Sequence, residues 1–518
     1  MGIEGVSFYE IATAHPERPA FLDTGSGTVS YGDLHADVNR ISHALRALGL
    51  EPGDTVATVL GNRPEFLTLL LAAMQSGLYF IPVSRHLTAP EIGYILSDSG
   101  AKVVITESAF AAAVTAAAGE AAIKPEGRLS VDAAEGFGDL AALLEGRSAE
   151  PPADRKMGSV MLYTSGTTGR PKGVRRPLLD FPPELTMTVL RQTLGKYLEL
   201  EPGDEVHLAI GPLYHSAPCV HALMSLNLGH AVVVSDHFEP ERTLEIIQRH
   251  GVTNSFMVPT MFHRMLTLPE DVRERYDLSS LRQVYHSAAP IPVDTKRRML
   301  DWWGPVLWEY YGSTESGPVV VAKPHDWLEH PGTVGRPVEG VDIKIFDEAG
   351  EELPAGEPGL IYARGQVGFE YHRDPGKTAS SMLGDYYTPG DIGHLDEDGW
   401  LYMSDRRTDL IISGGVNIYP AEIEAALLQH PAVADVAVIG VPDEDWGQRA
   451  VALVQPADGA VAGEALAAEL LAHCEPRLAK IKHPRRIEFR AELPRTPSGK
   501  LSRSRVRDGY LREQAERA

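Results

Sequence analysis

The chain has 518 residues, and at roughly 100–200 residues per domain it is too long for one simple core. Hydrophobic residues make up 43% and charged residues 23%, which excludes disordered, collagen-like and fibrous proteins. A net charge of −23 disfavours nonspecific binding to nucleic acid or to an anionic membrane.

The cysteine content and the N-terminal segment both bear on the cellular compartment. Cys219 and Cys474 are far apart in the sequence, which argues against a disulfide scaffold or a CxxC metal site. Met1–Leu22 contains several charged residues and no apolar core of a signal peptide. We therefore expect a cytoplasmic protein with reduced thiols.

One uncharged stretch, Phe66 to Ser84, approaches the length of a membrane-spanning helix. It also contains Gln75, Gly77 and Pro82, which are poorly placed in such a helix. We interpret FLTLLLAAMQ as a buried helix and LYFIPV as a buried strand, a step typical of α/β layers.

Short apolar runs rich in β-branched residues alternate with helical patterns along the first part of the chain. These runs are TVATVL near residue 55, LYFIPV near 78, KVVIT near 102, SVMLY at 159, AVVVS at 231 and RQVYHSA at 282. The alternation predicts an α/β fold with largely parallel sheets covered by helices on both faces. Ligands of such sheets bind beyond the carboxyl ends of the strands.

The pattern changes twice toward the C-terminus. From about residue 335, short β runs alternate with Gly and Pro turns, which predicts a β subdomain of hairpins at about 335–407. Beyond it, NIYPAEIE, VADVAVIGVP and a final helix and strand predict a small α+β domain. We place a large N-terminal domain at 1–407 and a mobile lid domain at 408–518.

The strongest local motif is YTSGTTGRPKG, Tyr163 to Gly173, which directly follows an apolar strand. Small hydroxylated residues and glycines let backbone N–H groups approach an anion closely, and a lysine adds compensating charge. The motif is not a Walker A loop, because Gly173 rather than Ser or Thr follows Lys172. It predicts a binding site for a polyphosphate.

Three further segments are open to two interpretations: by themselves they are typical of a strand-end turn, a Gly-Asp turn and a solvated basic tail, but each also carries residue types that suit a nucleotide. YYGSTE at 310–315 offers an aromatic face, a hydroxyl and a hard oxygen ligand. YYTPGDIG at 387–393 contains Asp391, whose carboxylate could accept hydrogen bonds from two neighbouring ribose hydroxyls. PRTPSGKLSR at 494–503 places a lysine in a basic C-terminal segment.

Taken together and in this order, these motifs resemble those of the adenylate-forming superfamily, which includes acyl-CoA synthetases, aryl-CoA ligases, peptide-synthetase adenylation domains and firefly luciferase. The resemblance spans nearly the whole chain. It implies domain alternation, in which the small domain rotates between two half-reactions.

The resemblance also implies a role for each matching residue. The implied nucleotide-binding residues are Thr164, Ser165, Gly166, Thr167, Thr168, Gly169 and Lys172 for the phosphates, Ala289 and Tyr311 for adenine, Thr314 for phosphate, and Asp391 and Arg406 for ribose. Lys500, Glu315 and Thr168 are the implied catalytic residues, with Glu315 holding magnesium. Gly414 and Gly415 are implied to form the wall of the CoA tunnel, and His215, Phe256 and Ala288 to line the acyl pocket.

The expected activity is that of an acyl-CoA ligase using ATP, Mg²⁺ and CoA. No aspartate occurs between Pro212 and His221 to meet a substrate ammonium group, so an ordinary carboxylic acid is favoured over an α-amino acid. Fatty, aromatic and bulky alicyclic or terpenoid acids stay open, and we favour a bulky or aliphatic one. The expected partners are small molecules, with no nucleic acid, no integral membrane contact and a homodimer as the candidate assembly.

Other functions compete with this one. The acceptor could be the pantetheine arm of a carrier protein instead of free CoA. A binding protein without turnover is disfavoured by Lys500 and Glu315, and a P-loop motor by the missing Gly-Lys-Ser/Thr.

Three details of the C-terminal half carry separate expectations. Thr408 stands where many relatives have Asp or Lys at the domain hinge. Eleven Lys or Arg against two acids between Arg477 and Arg507 form a basic run, in which Lys480, Lys482, Arg485 and Arg486 are candidate contacts for the CoA phosphates. HDWLEH at 325–330 does not match a zinc motif, and we expect it to be a polar loop.

Overall fold

The computed structural model describes residues 7–23, 25, 27–164, 171–185, 196–365, 368–406, 409–413, 416–443, 447–478, 480–495 and 501–517. The helices are α1 (Phe8–Ala14), α2 (Tyr31–Ala47), α3 (Pro64–Gln75), α4 (Ala89–Ser99), α5 (Ala111–Glu120), α6 (Leu140–Leu144), α7 (Lys196–Leu198), α8 (Ser216–Asn227), α9 (Pro240–His250), α10 (Pro259–Leu266), α11 (Glu270–Arg273), α12 (Val293–Trp303), α13 (Pro324–Glu329), α14 (Pro375–Ser380), α15 (Pro420–Leu427), α16 (Glu464–Cys474) and α17 (Arg503–Arg517).

The first fourteen strands lie between residues 19 and 286. They are β1 (Pro19–Leu22), β2 (Val29–Ser30), β3 (Thr55–Val59), β4 (Tyr79–Pro82), β5 (Val103–Thr106), β6 (Arg128–Ser130), β7 (Gly138–Asp139), β8 (Ser159–Val160), β9 (Leu162–Thr164), β10 (Lys172–Arg175), β11 (Val206–Ala209), β12 (Ala231–Val234), β13 (Asn254–Met257) and β14 (Gln283–His286).

The remaining strands form the second half of the fold. They are β15 (Leu307–Ser313), β16 (Gly317–Ala322), β17 (Thr333–Pro337), β18 (Asp342–Phe346), β19 (Gly359–Arg364), β20 (Glu370–Tyr371), β21 (Met382–Leu383), β22 (Tyr386–Tyr387), β23 (Asp391–Leu395), β24 (Leu401–Arg406), β25 (Ile411–Ser413), β26 (Val416–Ile418), β27 (Val433–Asp443), β28 (Gly447–Pro456) and β29 (Arg486–Phe489).

Two parallel arrays form the large domain. One is a six-stranded sheet in the order β7-β6-β5-β3-β4-β8, in which every pairing is parallel. The other is the parallel part of a fifteen-stranded sheet, where β1, β12, β11, β13, β14 and β15 are neighbours. Five of the six apolar runs predicted as strands form one strand each, SVMLY is divided between β8 and β9, and the α/β expectation is confirmed.

One core cluster contains residues of both arrays. Helices α2, α3 and α8 contribute residues such as Tyr31, Phe66 and Leu226 to it, and strands β4 and β12 contribute Phe80 and Val232. Every residue of α3 from Phe66 to Gln75 is buried, which explains why this stretch carries no charge. Among the described helices, none combines the length and hydropathy that a membrane span requires.

The predicted hairpins occupy the far part of the fifteen-stranded sheet. There β16, β17, β24, β23 and β19 continue from β15 with antiparallel pairing. This antiparallel region brings β23 near β15, although the two strands are distant in sequence. HDWLEH is helical at its start, because Pro324 begins α13 and Asp326 caps it, so the prediction of a loop was wrong.

The C-terminal region has a sheet and a core of its own. Strands β26, β25, β28 and β27 pair in that order and β29 joins β28 in parallel, which gives the α+β composition that the sequence indicates. Helices α15 and α16 pack on this sheet through residues such as Ile423, Leu427 and Leu470. The domain boundary at 407/408 stays a prediction.

Candidate functional site

Tyr311 and Asp391, which the resemblance assigns to adenine and ribose, lie together. Tyr311 is near the end of β15 and Asp391 begins β23, and the Tyr311 hydroxyl donates to Asp391 Oδ2 over 3.0 Å. Asp391 is only 5% exposed, so the bond holds its carboxylate in a mostly dry setting. Arg406 is opposite Asp391 in the β23–β24 pairing, which puts its backbone at the same edge.

Steric constraints explain why a glycine, Gly312, occurs in YYGSTE. The pairing of β15 with β16 shifts register between Tyr311 and Gly312. A Cβ atom on Gly312 would overlap the Gly317 carbonyl oxygen, so only glycine allows this close approach of the two strands. The irregularity changes the direction of the backbone just before Ser313 and Thr314.

The loop after β14 lies beside this edge. His286 ends β14 and is opposite Glu309 in the parallel pairing with β15, so Ala288 and Ala289 follow at the carboxyl end of the sheet. Ala288 has φ of 74°, in the left-handed region that a non-glycine residue seldom adopts. Strain of this kind is typical of a functional loop.

Glu315 is buried and held from two directions. It is 7% exposed, and the Tyr371 hydroxyl donates to its Oε1 over 2.7 Å. Burial and the neighbouring Glu315 carboxylate raise the pKa of Tyr371, which therefore stays a donor. Behind the loop, Arg176 Nη2 donates to the carbonyl oxygens of Thr314 and Glu315 over 2.7 and 2.9 Å.

Lys172 is positioned by a small antiparallel sheet of β9, β10 and β20. Thr164 ends β9 and is opposite Lys172 in β10, so two residues of the motif YTSGTTGRPKG lie on paired antiparallel strands. The Lys172 ammonium forms an ion pair with Asp374, whose other oxygen caps α14 through the Lys377 N–H. The cation is thus neutralised by a nearby carboxylate in this structure.

Asn62 fixes the loop that carries His215. Its Nδ2 donates to the carbonyl oxygens of Gly211 and Ser235, at 2.9 and 3.0 Å, and its Oδ1 accepts from the Leu213 N–H at 2.9 Å. The loop then turns into α8, with His215 immediately before the helix. These bonds connect the two parallel arrays at the loop of His215.

Phe256 belongs to an aromatic cluster between α8 and the sheet. His221 of α8 stacks on Phe256 at 5.2 Å and on Tyr310 at 6.0 Å between ring centroids, and Tyr285 lies 5.0 Å away. Burial lowers the pKa of His221 to about 3, so the imidazole is neutral at physiological pH. The cluster is an apolar wall rather than a charged site.

A buried charge pair lies behind the loop of Ala288. Lys296 Nζ of α12 is 2.5 Å from Glu309 Oε2 of β15 and 4.9 Å from the ring centroid of Trp327. His286 Nε2 is 3.6 Å from the same carboxylate oxygen. Burial lowers the pKa of Lys296 and raises that of Glu309, and it keeps His286 neutral by lowering its pKa.

Several predicted residues cannot be placed. Those that lie outside the described residues are Ser165, Gly166, Thr167, Thr168, Gly169, Thr408, Gly414, Gly415 and Lys500, and the side chain of Arg406 is not described either. Their roles stay predictions.

The C-terminal basic run is largely engaged in ion pairs of its own domain. Lys482 pairs with Glu422, Arg495 with Asp435, and Arg503 with Asp409 and Glu424. Arg486 also pairs, with Glu488. Two of the four candidate CoA contacts, Lys482 and Arg486, are therefore occupied by carboxylates here.

Three residues around this site were not predicted from the sequence: Arg176, Tyr371 and Asp374. Arg176 had a detectable signal, since two arginines follow the apolar Val174 directly after the phosphate motif. Asp374 is 202 residues from Lys172 and Tyr371 is 56 residues from Glu315, and neither belongs to a motif that we identified, so only the fold reveals them.

Comparison with known proteins identifies the family. The family model of AMP-binding enzymes matches residues 8–370, and that of the AMP-binding enzyme C-terminal domain matches residues 422–500. A feruloyl-CoA synthase of Amycolatopsis sp is 37% identical over 492 residues, which cover 93% of this chain and 94% of that protein.

Two further relatives extend the comparison. The fatty acid–[acyl-carrier-protein] ligase ScoC of Streptomyces coeruleorubidus is 33% identical, covering 99% of this chain and 97% of that protein. The solved structure of o-succinylbenzoate CoA synthetase from Bacillus subtilis, in complex with its acyl-adenylate intermediate, has a TM-score of 0.80, 29% identity and 97% coverage of both chains. The family-model match shows that the chain belongs to the AMP-binding enzyme family, and the hydrogen bond between Tyr311 and Asp391 agrees with this assignment.

Proposed function

We propose that this protein activates a compact aromatic carboxylic acid with ATP and transfers the acyl group to CoA. The chain is an ATP-dependent, AMP-forming acid–thiol ligase. The observation that best supports its site is the hydrogen bond of Tyr311 to Asp391, since Glu315 follows Tyr311 by four residues and the groups suited to base, ribose and phosphate are therefore close together.

The proposed reaction has two half-reactions. A carboxylate oxygen of the acid attacks the α-phosphorus of ATP and pyrophosphate leaves, which gives the acyl adenylate. The thiol of CoA, after losing its proton, attacks the carbonyl carbon, and AMP leaves with the bridging oxygen. In this proposal Lys172, Thr167, Thr168 and Lys500 compensate the negative charge that develops at the phosphates.

Magnesium is part of the proposal. The described residues include no group of three or more His, Cys, Asp or Glu that could hold a metal by themselves. A single buried carboxylate, Glu315, fits Mg²⁺, which is usually bound by one or two carboxylates together with substrate phosphates and water. Bound there, the ion would neutralise phosphate charge.

Rotation of the small domain belongs to the same proposal. It would withdraw Lys500 and present Gly414 and Gly415 to the pantetheine arm, with Lys480 and Arg485 as candidate contacts for CoA phosphates. We also propose a cytoplasmic location, which the free, buried thiols of Cys219 and Cys474 support. A homodimer is the proposed assembly, to be measured directly.

The aromatic cluster is the support for a compact acid. His221 of α8 stacks on Phe256 and Tyr310 of the sheet, and we propose that these rings bound the acyl pocket and exclude a long acyl chain. Flat rings pack well against such a wall. This proposal departs from our sequence-based preference for a bulky or aliphatic acid, and it agrees with the similarity of the chain to a feruloyl-CoA synthase.

Pyrophosphate release over a panel of acids tests the function. We expect release with cinnamate-type and benzoate-type acids to exceed that with a sixteen-carbon fatty acid, and CoA thioester to form only when CoA is present. Phe256→Ala should shift the preference toward longer acids because it removes part of the wall. Phe238→Ala, an equal truncation outside the cluster, is the control, and an unchanged preference in Phe256→Ala would contradict the assignment.

A carrier-protein acceptor is the second candidate function, favoured specifically by the similarity to ScoC. The same assay distinguishes the two acceptors when phosphopantetheinylated carrier protein replaces CoA. Thioester on the carrier alone would support the second candidate and refute the first.

Asp391→Asn tests the nucleotide end of the site. The variant replaces the charged group that accepts hydrogen bonds from Tyr311 and, in this proposal, from the ribose hydroxyls. We therefore expect the affinity for ATP to fall by a factor of roughly ten or more, which is the scale of one hydrogen bond to a charged group. Binding can be measured by calorimetry without the acid. Tyr311→Phe, which keeps the ring and removes only the hydroxyl, should lose less, and equal affinity in Asp391→Asn and wild type would contradict the ribose role.

A further inference from the structure

Arg176 follows β10 directly and turns its side chain away from the hairpin toward the loop of Thr314 and Glu315. One terminal nitrogen donates to both carbonyl oxygens of this loop, at 2.7 and 2.9 Å. Its own carbonyl accepts from the Tyr79 hydroxyl at 2.8 Å, so the backbone of Arg176 is anchored to the six-stranded sheet. Burial lowers the pKa of Arg176, yet an arginine stays charged, and the desolvated cation needs acceptors.

Tyr371 reaches the same loop from the neighbouring strand. It is opposite Val174 in the pairing of β20 with β10, and its hydroxyl donates to Glu315 Oε1. One three-stranded sheet therefore holds Glu315 by its backbone through Arg176 and by its carboxylate through Tyr371. The same sheet carries Lys172 and its partner Asp374.

These contacts leave the second carboxylate oxygen of Glu315 for another ligand. The Tyr371 hydroxyl donates to Oε1, and among the described residues no side chain or backbone group donates a hydrogen bond to Oε2. A carboxylate whose backbone and one oxygen are fixed presents the other oxygen in a defined direction, which lowers the entropy lost when a ligand binds.

We propose that Arg176 and Tyr371 are positioning residues, which fix Thr314 and Glu315 so that the loop binds the nucleotide phosphates together with magnesium. This inference rests on the proposed function. It differs from a purely structural role of the two side chains, because it predicts an effect on ATP binding that depends on the metal.

The variants are Tyr371→Phe, which removes one oxygen atom, and Arg176→Met, which removes both bonds to the loop. Arg175→Met is the matched control, since Arg175 is the adjacent arginine but contacts Glu370 and the ring of Tyr79 instead. ATP affinity is measured by calorimetry without acid, once with excess Mg²⁺ and once with a chelator.

With Mg²⁺ present, we expect roughly tenfold weaker ATP binding in Tyr371→Phe and a larger loss in Arg176→Met, the scale of hydrogen bonds to charged groups. With the chelator, Tyr371→Phe and wild type should bind ATP equally. The circular dichroism spectra and thermal unfolding of the three variants are compared with those of the wild type first, so that a folding defect is separated from a loss of ATP affinity.

If the variants lose the same ATP affinity with and without Mg²⁺, or lose none, the inference is wrong and the two side chains have a purely structural role. If Arg176→Met does not fold, the ATP affinity of Tyr371→Phe with and without Mg²⁺ tests the inference by itself. A wild-type protein that forms no acyl adenylate with any acid would instead refute the proposed function, and the positioning role with it.

Discussion

Lys500→Ala is expected to stop acyl-adenylate formation and to spare thioester formation from supplied acyl adenylate. The proposed role of Lys500 is to place a cation between the attacking carboxylate and the α-phosphate, and loss of one such stabilising group typically costs roughly 10²–10³-fold in rate. The second half-reaction needs no charge at that phosphorus. Pyrophosphate release and thioester formation are therefore measured separately in single-turnover experiments.

The described flanks of Lys500 are anchored within the small domain. Arg495 holds Asp435 on one side, and Arg503 holds Asp409 and Glu424 on the other. Lys482→Ala is a suitable control, because Lys482 is a lysine of the same basic run that pairs with Glu422. If both half-reactions survive in Lys500→Ala, the role assigned to Lys500 is wrong.

Lys296→Met is expected to lower the free energy of unfolding by about 3–5 kcal/mol, the usual cost of breaking a buried ion pair. Its partner Glu309 is 5% exposed, and without the lysine it must stay ionised in a dry site or take up a proton. Strand β15 carries both Glu309 and Tyr311, so the damage should extend to ATP binding. Urea denaturation gives the stability.

The double variant Lys296→Met/Glu309→Leu removes both charges and should recover much of the loss, since apolar replacements of buried pairs are often neutral. Arg297→Met, one residue along α12 on the exposed face, should change stability little. A loss in Arg297→Met as large as in Lys296→Met would show that the buried pair is not the cause.

The sequence predicted the parallel layers well because several of the strands there are short apolar runs buried on both faces. TVATV and VVIT are such runs, and β3 and β5 are buried throughout. The β subdomain was equally visible, since the alternation in DIKIF and the surrounding turns describe a half-buried hairpin. Both patterns depend only on residues that are close together in the sequence.

What the sequence could not predict depends on contacts between distant segments. The bonds of Tyr371 to Glu315 and of Asp374 to Lys172 arise only when β20 pairs with β10. The helix at Pro324–Glu329 was missed because its polar composition suggested a loop, although Trp327 is fully buried beneath it. The basic C-terminal run suggested a free surface, whereas its carboxylate partners, Glu422 and Asp435, precede it by about 60 residues.

The chemistry of the site can be tested by following one oxygen atom. The enzyme is supplied with ATP, CoA and an acid whose carboxylate carries ¹⁸O, and the products are analysed by mass spectrometry. If the carboxylate attacks the α-phosphorus, every AMP formed with the thioester gains one ¹⁸O atom, the bridging oxygen of the adenylate. Unlabelled AMP, or ADP accompanied by ¹⁸O in inorganic phosphate, would contradict the account.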